Sequence, residues 1–131
     1  MTMLKEVEVP SAKISIREDG VMHVHIKVSS SFEMENSKEI FEARESISEG
    51  RKVPILCTSE YRFLTPSKEV KEYISSRPRT GLVLADGFVI GSFSQRLAAK
   101  IYLKLNKPEV PTGFFSTEEE AIEWLKGFVQ K

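Results

Sequence analysis

Apolar and polar residues alternate from Ala12 to Arg17, where Ala12, Ile14 and Ile16 take turns with Lys13, Ser15 and Arg17. They alternate again from Met22 to Val28, with His23, His25 and Lys27 between the apolar positions. A period of two predicts two half-buried strands, and the Asp19-Gly20 step between them predicts a tight hairpin, because glycine supplies the positive φ that such a turn demands. From about Met34 the period lengthens. Ile40, Phe41 and Ile47 fall on one helical face, and Gly50 follows as a left-handed C-cap. Val53 to Cys57 is short and almost wholly apolar, the pattern of a strand covered on both faces. Thr65-Pro66 then reads as a helix start, with the threonine as cap and proline at the first helical position. Val70, Tyr73 and Ile74 form that helix's buried stripe, and Arg77-Pro78 ends it.

Leu82 to Ile90 admits two readings. Asp86-Gly87 between apolar runs is a hairpin signal, but the flanks are short, so the favoured assignment is one strand at about Phe88 to Gly91 with Leu82 to Ala85 as lead-in. Phe93, Leu97, Ile101 and Leu105 recur every fourth residue and predict a helix from about Ser94 to Leu105, stopped by Asn106 and Pro108. Pro111 to Phe115 reads as a last short strand. Ser116 and Glu119 form a capping box for a closing helix, whose apolar face comprises Ala121, Ile122, Leu125, Phe128 and Val129. The predicted fold is α/β, in which strands alternating with helices imply a largely parallel sheet made mixed by the opening hairpin. It has four or five strands and about four helices.

Composition narrows what such a fold can do. With 131 residues, 40% of them hydrophobic, the chain is expected to form one domain, residues 1–131. It should bury roughly two-thirds of its unfolded surface without a metal or disulfide. Cys57 is the single cysteine. Nineteen basic residues balance nineteen acidic ones, which removes the general electrostatic attraction of a nucleic-acid binder. No apolar run approaches the roughly 20 residues of a transmembrane helix, and Met1 to Pro10 mixes charges where a signal peptide would be oily, so a cytoplasmic location is expected. Charge is nevertheless segregated: about −4 from Glu33 to Glu49, about +6 from Arg62 to Lys107 and about −4 from Glu109 to Lys126, with ordinary ionisation. These runs read as solvated helix faces, or the basic middle receives an anionic ligand or an acidic partner surface.

Candidate chemistry is sparse. His23 and His25 share a strand face and could both reach one ion, but third and fourth ligands are missing and Lys13, Arg17 and Lys27 share that face, so no metal is expected. Cys57 has no basic neighbour in sequence before Arg62 and reads as a buried, inert thiol. No acid, base and nucleophile set can be assembled, and no glycine-rich phosphate loop is present, so the chain is read as a non-enzyme with no cofactor.

Set beside this architecture, the segment Cys57-Thr-Ser-Glu-Tyr-Arg-Phe-Leu-Thr-Pro-Ser67 resembles the switch region of STAS domains, the family of bacterial anti-sigma factor antagonists and sulfate-transporter tails. There a strand ends in aspartate, two apolar residues follow, and a helix opens with Asp-Ser-Ser-Gly, whose second serine is phosphorylated. Cys57 falls on the aspartate, Phe63 and Leu64 on the apolar pair, Thr65 and Pro66 on Asp-Ser, Ser67 on the acceptor and Lys68 on the glycine. The acceptor and the apolar pair are kept. Ser92 to Asn106, Asn106-Lys-Pro108 and Phe115 to Leu125 are similar to uncharacterised bacterial proteins described as STAS/SEC14-like or SpoIIAA-like, and the resemblance spans residues 12 to 129.

The resemblance implies a SpoIIAA-like fold and two alternative functions. One is a regulatory or scaffold module acting through an unidentified protein partner, with a homodimer left open. In it Ser67, with Thr65, would be a phospho-acceptor or switch, and Lys68 and Lys71 would contact the anion. The other is a small carrier or sensor of an apolar or amphipathic ligand, with Phe88, Phe93, Tyr102, Phe114 and Phe115 as pocket lining; their spacing also suits ordinary core.

Overall fold

A computed structural model describes residues 3–28, 31–60 and 65–129. Among them a six-stranded mixed sheet has the order β1-β2-β3-β5-β7-β8, with β1 at Met3–Val9, β2 at Ala12–Arg17, β3 at Met22–Ile26, β5 at Val53–Ser59, β7 at Val83–Val89 and β8 at Thr112–Phe115. A separate parallel pair joins β4, Ser31–Phe32, to β6, Thr65–Pro66. The helices are α1 at Met34–Ser48, α2 at Lys68–Ile74, α3 at Arg77–Thr80, α4 at Phe93–Asn106 and α5 at Glu118–Lys126. The β2–β3 hairpin forms as its alternation predicts, turning at Gly20 with φ +89°.

The sheet has six strands, not four or five. The first is β1, antiparallel to β2. Its own period of two, Val7 and Val9 against Glu6 and Glu8, is obscured by the charges that suit a sheet edge. Lys13–Glu6 and Lys27–Glu8 ion pairs tie it to the hairpin, and Lys5 pairs with Glu49 beyond α1.

From β3 onward the sheet is parallel: β3 pairs with β5, β5 with β7 and β7 with β8. All three crossovers advance in the same direction. Right-handed connections therefore place α1, α2 and α4 on one face, while α5, which follows the last strand, covers the other. Two cores result. Ile14, Met22, Val24 and Ile55 pack under Ile40, Ala43, Ile47 and Val70 on the α1 side, and Val21, Leu56 and Ala85 pack under Ala121 and Leu125 on the α5 side.

Four further expectations are corrected. The single strand favoured over a hairpin forms, but as β7 at Val83–Val89 rather than Phe88 to Gly91, so that Asp86-Gly87 lies inside it. Gly87 is there for packing, since a Cβ at this position would stand 2.9 Å from Leu125 Cδ1. Thr65 belongs to β6, and the cap of α2 is Ser67, whose Oγ accepts from the Val70 amide at 3.2 Å; Pro66 thus precedes the cap instead of opening the helix. α2 already ends at Ile74, and Arg77-Pro78, expected to end it, opens the short helix α3 with Pro78 in its first turn. Thr117, not Ser116, caps α5, accepting from the Glu120 amide at 3.2 Å.

The largest departure concerns α4. Ser92 and Gln95 cap it with a reciprocal box, but the stripe of Phe93, Leu97, Ile101 and Leu105 faces solvent, at 82%, 52%, 50% and 76% exposure. Only Ala99 of this helix is buried. Periodicity defines an apolar face without saying what covers it.

The cap assignment predicts that Ser67→Ala lowers stability by about 1 kcal/mol in urea unfolding, because the Val70 amide loses its acceptor, whereas Thr65→Ala leaves the midpoint within about 0.5 kcal/mol of wild type, as expected of a change away from a cap.

Candidate functional site

Between the sheet and the α1, α2 and α4 layer lies a cavity of about 340 Å3 with a largely apolar wall. The floor comes from Val24, Ile26, Ile55, Cys57, Phe88 and Phe114 on four adjacent strands, and the roof from Ile40 of α1, Ile74 of α2 and Ala98, Ala99 and Tyr102 of α4. Its existence follows from the inversion of α4. That helix turns Phe93, Leu97, Ile101 and Leu105 outward and Ala98, Ala99 and Tyr102 inward, so the space beneath is only partly filled by side chains.

Three of the five aromatics expected to line a pocket do so. Phe88 stacks on Phe114 with ring centroids 5.3 Å apart, and Tyr102 meets Phe114 edge-on at 6.3 Å. Burial raises the Tyr102 phenol above its ordinary range. Phe115 lies on the opposite face, where it packs on Trp124 at 5.4 Å, and Phe93 stands in solvent.

The switch residues are only partly brought together. Ser67 is half-buried and committed to its cap, Lys68 is exposed, and Lys71 lines the cavity. Thr65 is described only by its backbone place in β6, and Phe63 and Leu64 lie outside the described residues.

Three charged residues that sequence reasoning missed dominate the site. Arg79 of α3 and Asp86 of β7 are buried and joined by two hydrogen bonds, Nη1 to Oδ2 at 2.5 Å and Nη2 to Oδ1 at 2.9 Å. Burial opposes the Arg79 charge, but the Asp86 charge and these bonds outweigh it and hold the guanidinium above its usual range. Asp86 reaches this face because the β5–β7 register slips by one residue: Val53 pairs with Val83, yet Pro54 pairs with Ala85. Strict alternation from Val83 would have pointed Asp86 toward α5.

The third is Arg44 of α1, 5% exposed. It lines the cavity, its Nε has no hydrogen-bond partner, and among the described residues no carboxylate forms an ion pair with it. Its guanidinium carbon stands 5.7 Å from the centre of the Phe41 ring. Burial, with Arg79 nearby, pulls Arg44 down to about 10, which still leaves it charged at neutral pH. A signal was present in the sequence: Ile40, Arg44 and Ile47 recur at helical spacing, so a cation sits in the buried stripe.

Cys57 is a free thiol on the cavity floor, and burial pushes it up to about 12, so it stays protonated at neutral pH. His23 and His25 occupy the other face. Both rings lie within hydrogen-bond distance of Thr58 Oγ1, at 2.7 and 2.8 Å. Burial lowers His23 below the usual histidine range; His25 and Arg17 push the same way, and Glu118 opposes them. Among the described residues no cluster of three or more His, Cys, Asp or Glu is placed to hold a metal.

The profile of a domain of unknown function, DUF7793, matches residues 14–129. The chain belongs to that family. An uncharacterized protein of the DUF3478 family from Shewanella loihica PV-4, with a SpoIIAA-like fold, is similar in structure at 14% sequence identity and a TM-score of 0.60. The match covers 92% of this chain and 98% of that one. The DUF7793 chain thus has the SpoIIAA-like fold that the sequence resemblance implied. The search of curated proteins gives no match. No helix among the described residues is long and apolar enough to cross a membrane.

Two predictions rest on these charges. Asp86→Asn should cost about 3 kcal/mol or more in chemical denaturation, because it strands the buried Arg79 cation, and Arg79→Met combined with Asp86→Leu should recover most of that loss. His23, depressed in the fold, contributes stability above its unfolded pKa of about 6.5 that is lost as pH falls through its folded value. Wild type should therefore lose stability more steeply than His23→Gln between pH 7 and pH 5, as measured by urea midpoints.

Proposed function

We propose that the chain is a small carrier or sensor that binds an apolar or amphipathic ligand in the cavity beneath α4. The cavity carries this reading. Close-packed interiors leave few voids larger than a water molecule, whereas 340 Å3 falls within the roughly 300–1,000 Å3 of small-molecule pockets. Its make-up also fits a binding site: a largely apolar wall with a few polar groups set into it. The reading is of binding rather than catalysis, because Arg79 and Asp86 neutralise each other and Cys57 is held as an unreactive thiol. A cytoplasmic setting suits a chain whose lone cysteine has no partner for a disulfide.

A second reading, an interaction module, is favoured by the exposed stripe on α4. Arg96, Lys100 and Lys104 accompany Phe93, Leu97, Ile101 and Leu105 on that helix, and no acid occurs between Phe93 and Lys107. The complementary partner is an apolar groove rimmed by acidic residues. A twofold pair of α4 helices would bring like charges together, which disfavours a homodimer through this surface.

The test of the ligand reading is thermal. A medium-chain amphiphile at a hundred times its Kd should stabilise the protein by about 2.7 kcal/mol and raise Tm by several degrees. Ala99→Phe, which fills the space under α4, should abolish that shift while the protein stays folded. The reading fails if no apolar or amphipathic probe moves Tm and native mass spectrometry of freshly purified protein shows only the bare chain.

A further inference from the structure

We propose that the cavity's ligand carries one anionic head, a carboxylate on an apolar tail, and that Arg44 receives it; this rests on the ligand reading above.

Charge along the cavity wall does not balance. Arg44 and Arg79 bring two positive charges to the wall, and the Arg79 charge is already met by Asp86 through two hydrogen bonds. One cation is left over, and it is Arg44. A charge taken out of water needs a partner, and an arginine needs acceptors for its N–H groups. Arg44 has neither among the described residues: its Nε is unbonded and no carboxylate forms an ion pair with it, while the Phe41 ring centre stands 5.7 Å from its guanidinium carbon. Arg79 acts against its charge, and Asp86, Tyr73 and Glu45, the next residue on α1, act in its favour through charge alone, without a hydrogen bond to it.

Three further observations define the ligand. The guanidinium presents a planar fork that matches a carboxylate or phosphate in geometry. A single surplus positive charge is balanced by a monoanion, and a phosphate monoester carries about −1.5 to −2 near neutral pH, so a carboxylate fits the count. Away from Arg44, Ile26, Ile74, Phe88, Ala98 and Phe114 offer hydrocarbon, which fits a tail. Lys71 also lines the cavity, but it is half-exposed and can satisfy its charge in water.

The experiment compares dodecanoic acid with dodecan-1-ol, which share a tail and differ in head, by isothermal titration calorimetry on wild type, Arg44→Gln and Arg44→Lys. Wild type should bind the acid at least tenfold more tightly than the alcohol. Arg44→Gln should erase that preference, weakening the acid tenfold or more and leaving the alcohol within twofold, while Arg44→Lys keeps part of it. Melting temperatures of the variants confirm that they are folded, and the wild-type comparison needs no variant. Equal binding of acid and alcohol by wild type overturns the headgroup assignment and leaves the ligand reading standing. So does an acid preference that survives in folded Arg44→Gln. If wild type binds neither compound, the headgroup assignment falls, and the ligand reading is decided by the thermal and mass-spectrometric test given above.

Discussion

Handedness is the constraint on which the rest of this structure depends. β3, β5, β7 and β8 lie side by side in chain order, so each parallel crossover steps the same way across the sheet, and right-handed connections then leave α1, α2 and α4 on one face. The other face is left to α5 and to the solvated hairpin. Three helices sharing one face need not sit equally close. α1 is pinned by Ile40, Ala43 and Ile47 and α2 by Val70, whereas α4 buries little more than Ala99. The cavity lies where that layer is thinnest in side chains.

Charge is buried at this place, which is unusual for a largely apolar wall. A paired Arg79 and Asp86 form a bridge from α3 to β7, and each satisfies the other. Arg44 has no such answer within the described chain. Folding that leaves a cation in low dielectric without a partner costs stability, and departures of this kind from local consistency are where function is to be sought. The neighbouring wall is conventional by comparison: aromatic stacking of Phe88 and Phe114, with Tyr102 above, gives a rigid apolar lining.

The two surfaces of α4 connect the cavity to the outside. Its inner side, Ala98, Ala99 and Tyr102, is wall, and its outer side is an apolar stripe accompanied by basic residues. A bound molecule that touched Ala98 and Tyr102 would bear on the helix that carries the stripe. The carrier and module readings therefore share one element, and a sensor would join them.

What the sequence determined by itself was set by local rules. A period of two with Asp-Gly between gave the β2–β3 hairpin, helical spacing followed by Gly50 gave α1, a short apolar run gave β5, and the α5 stripe was legible through Ala121 and Leu125. Three pocket aromatics were also legible, because large apolar residues on adjacent strands and helices tend to meet. Only the tertiary structure decided the rest. The one-residue slip between β5 and β7 turned Asp86 toward Arg79, and register is a property of two strands that neither strand specifies alone. The inversion of α4 exposed Phe93 and Leu105 and opened the cavity, because a helical stripe records its own geometry and not the presence of a neighbour to cover it. The unpaired charge of Arg44 has the same origin: among the described residues no strand or helix brings a carboxylate into an ion pair with it, and that is settled by where those residues go.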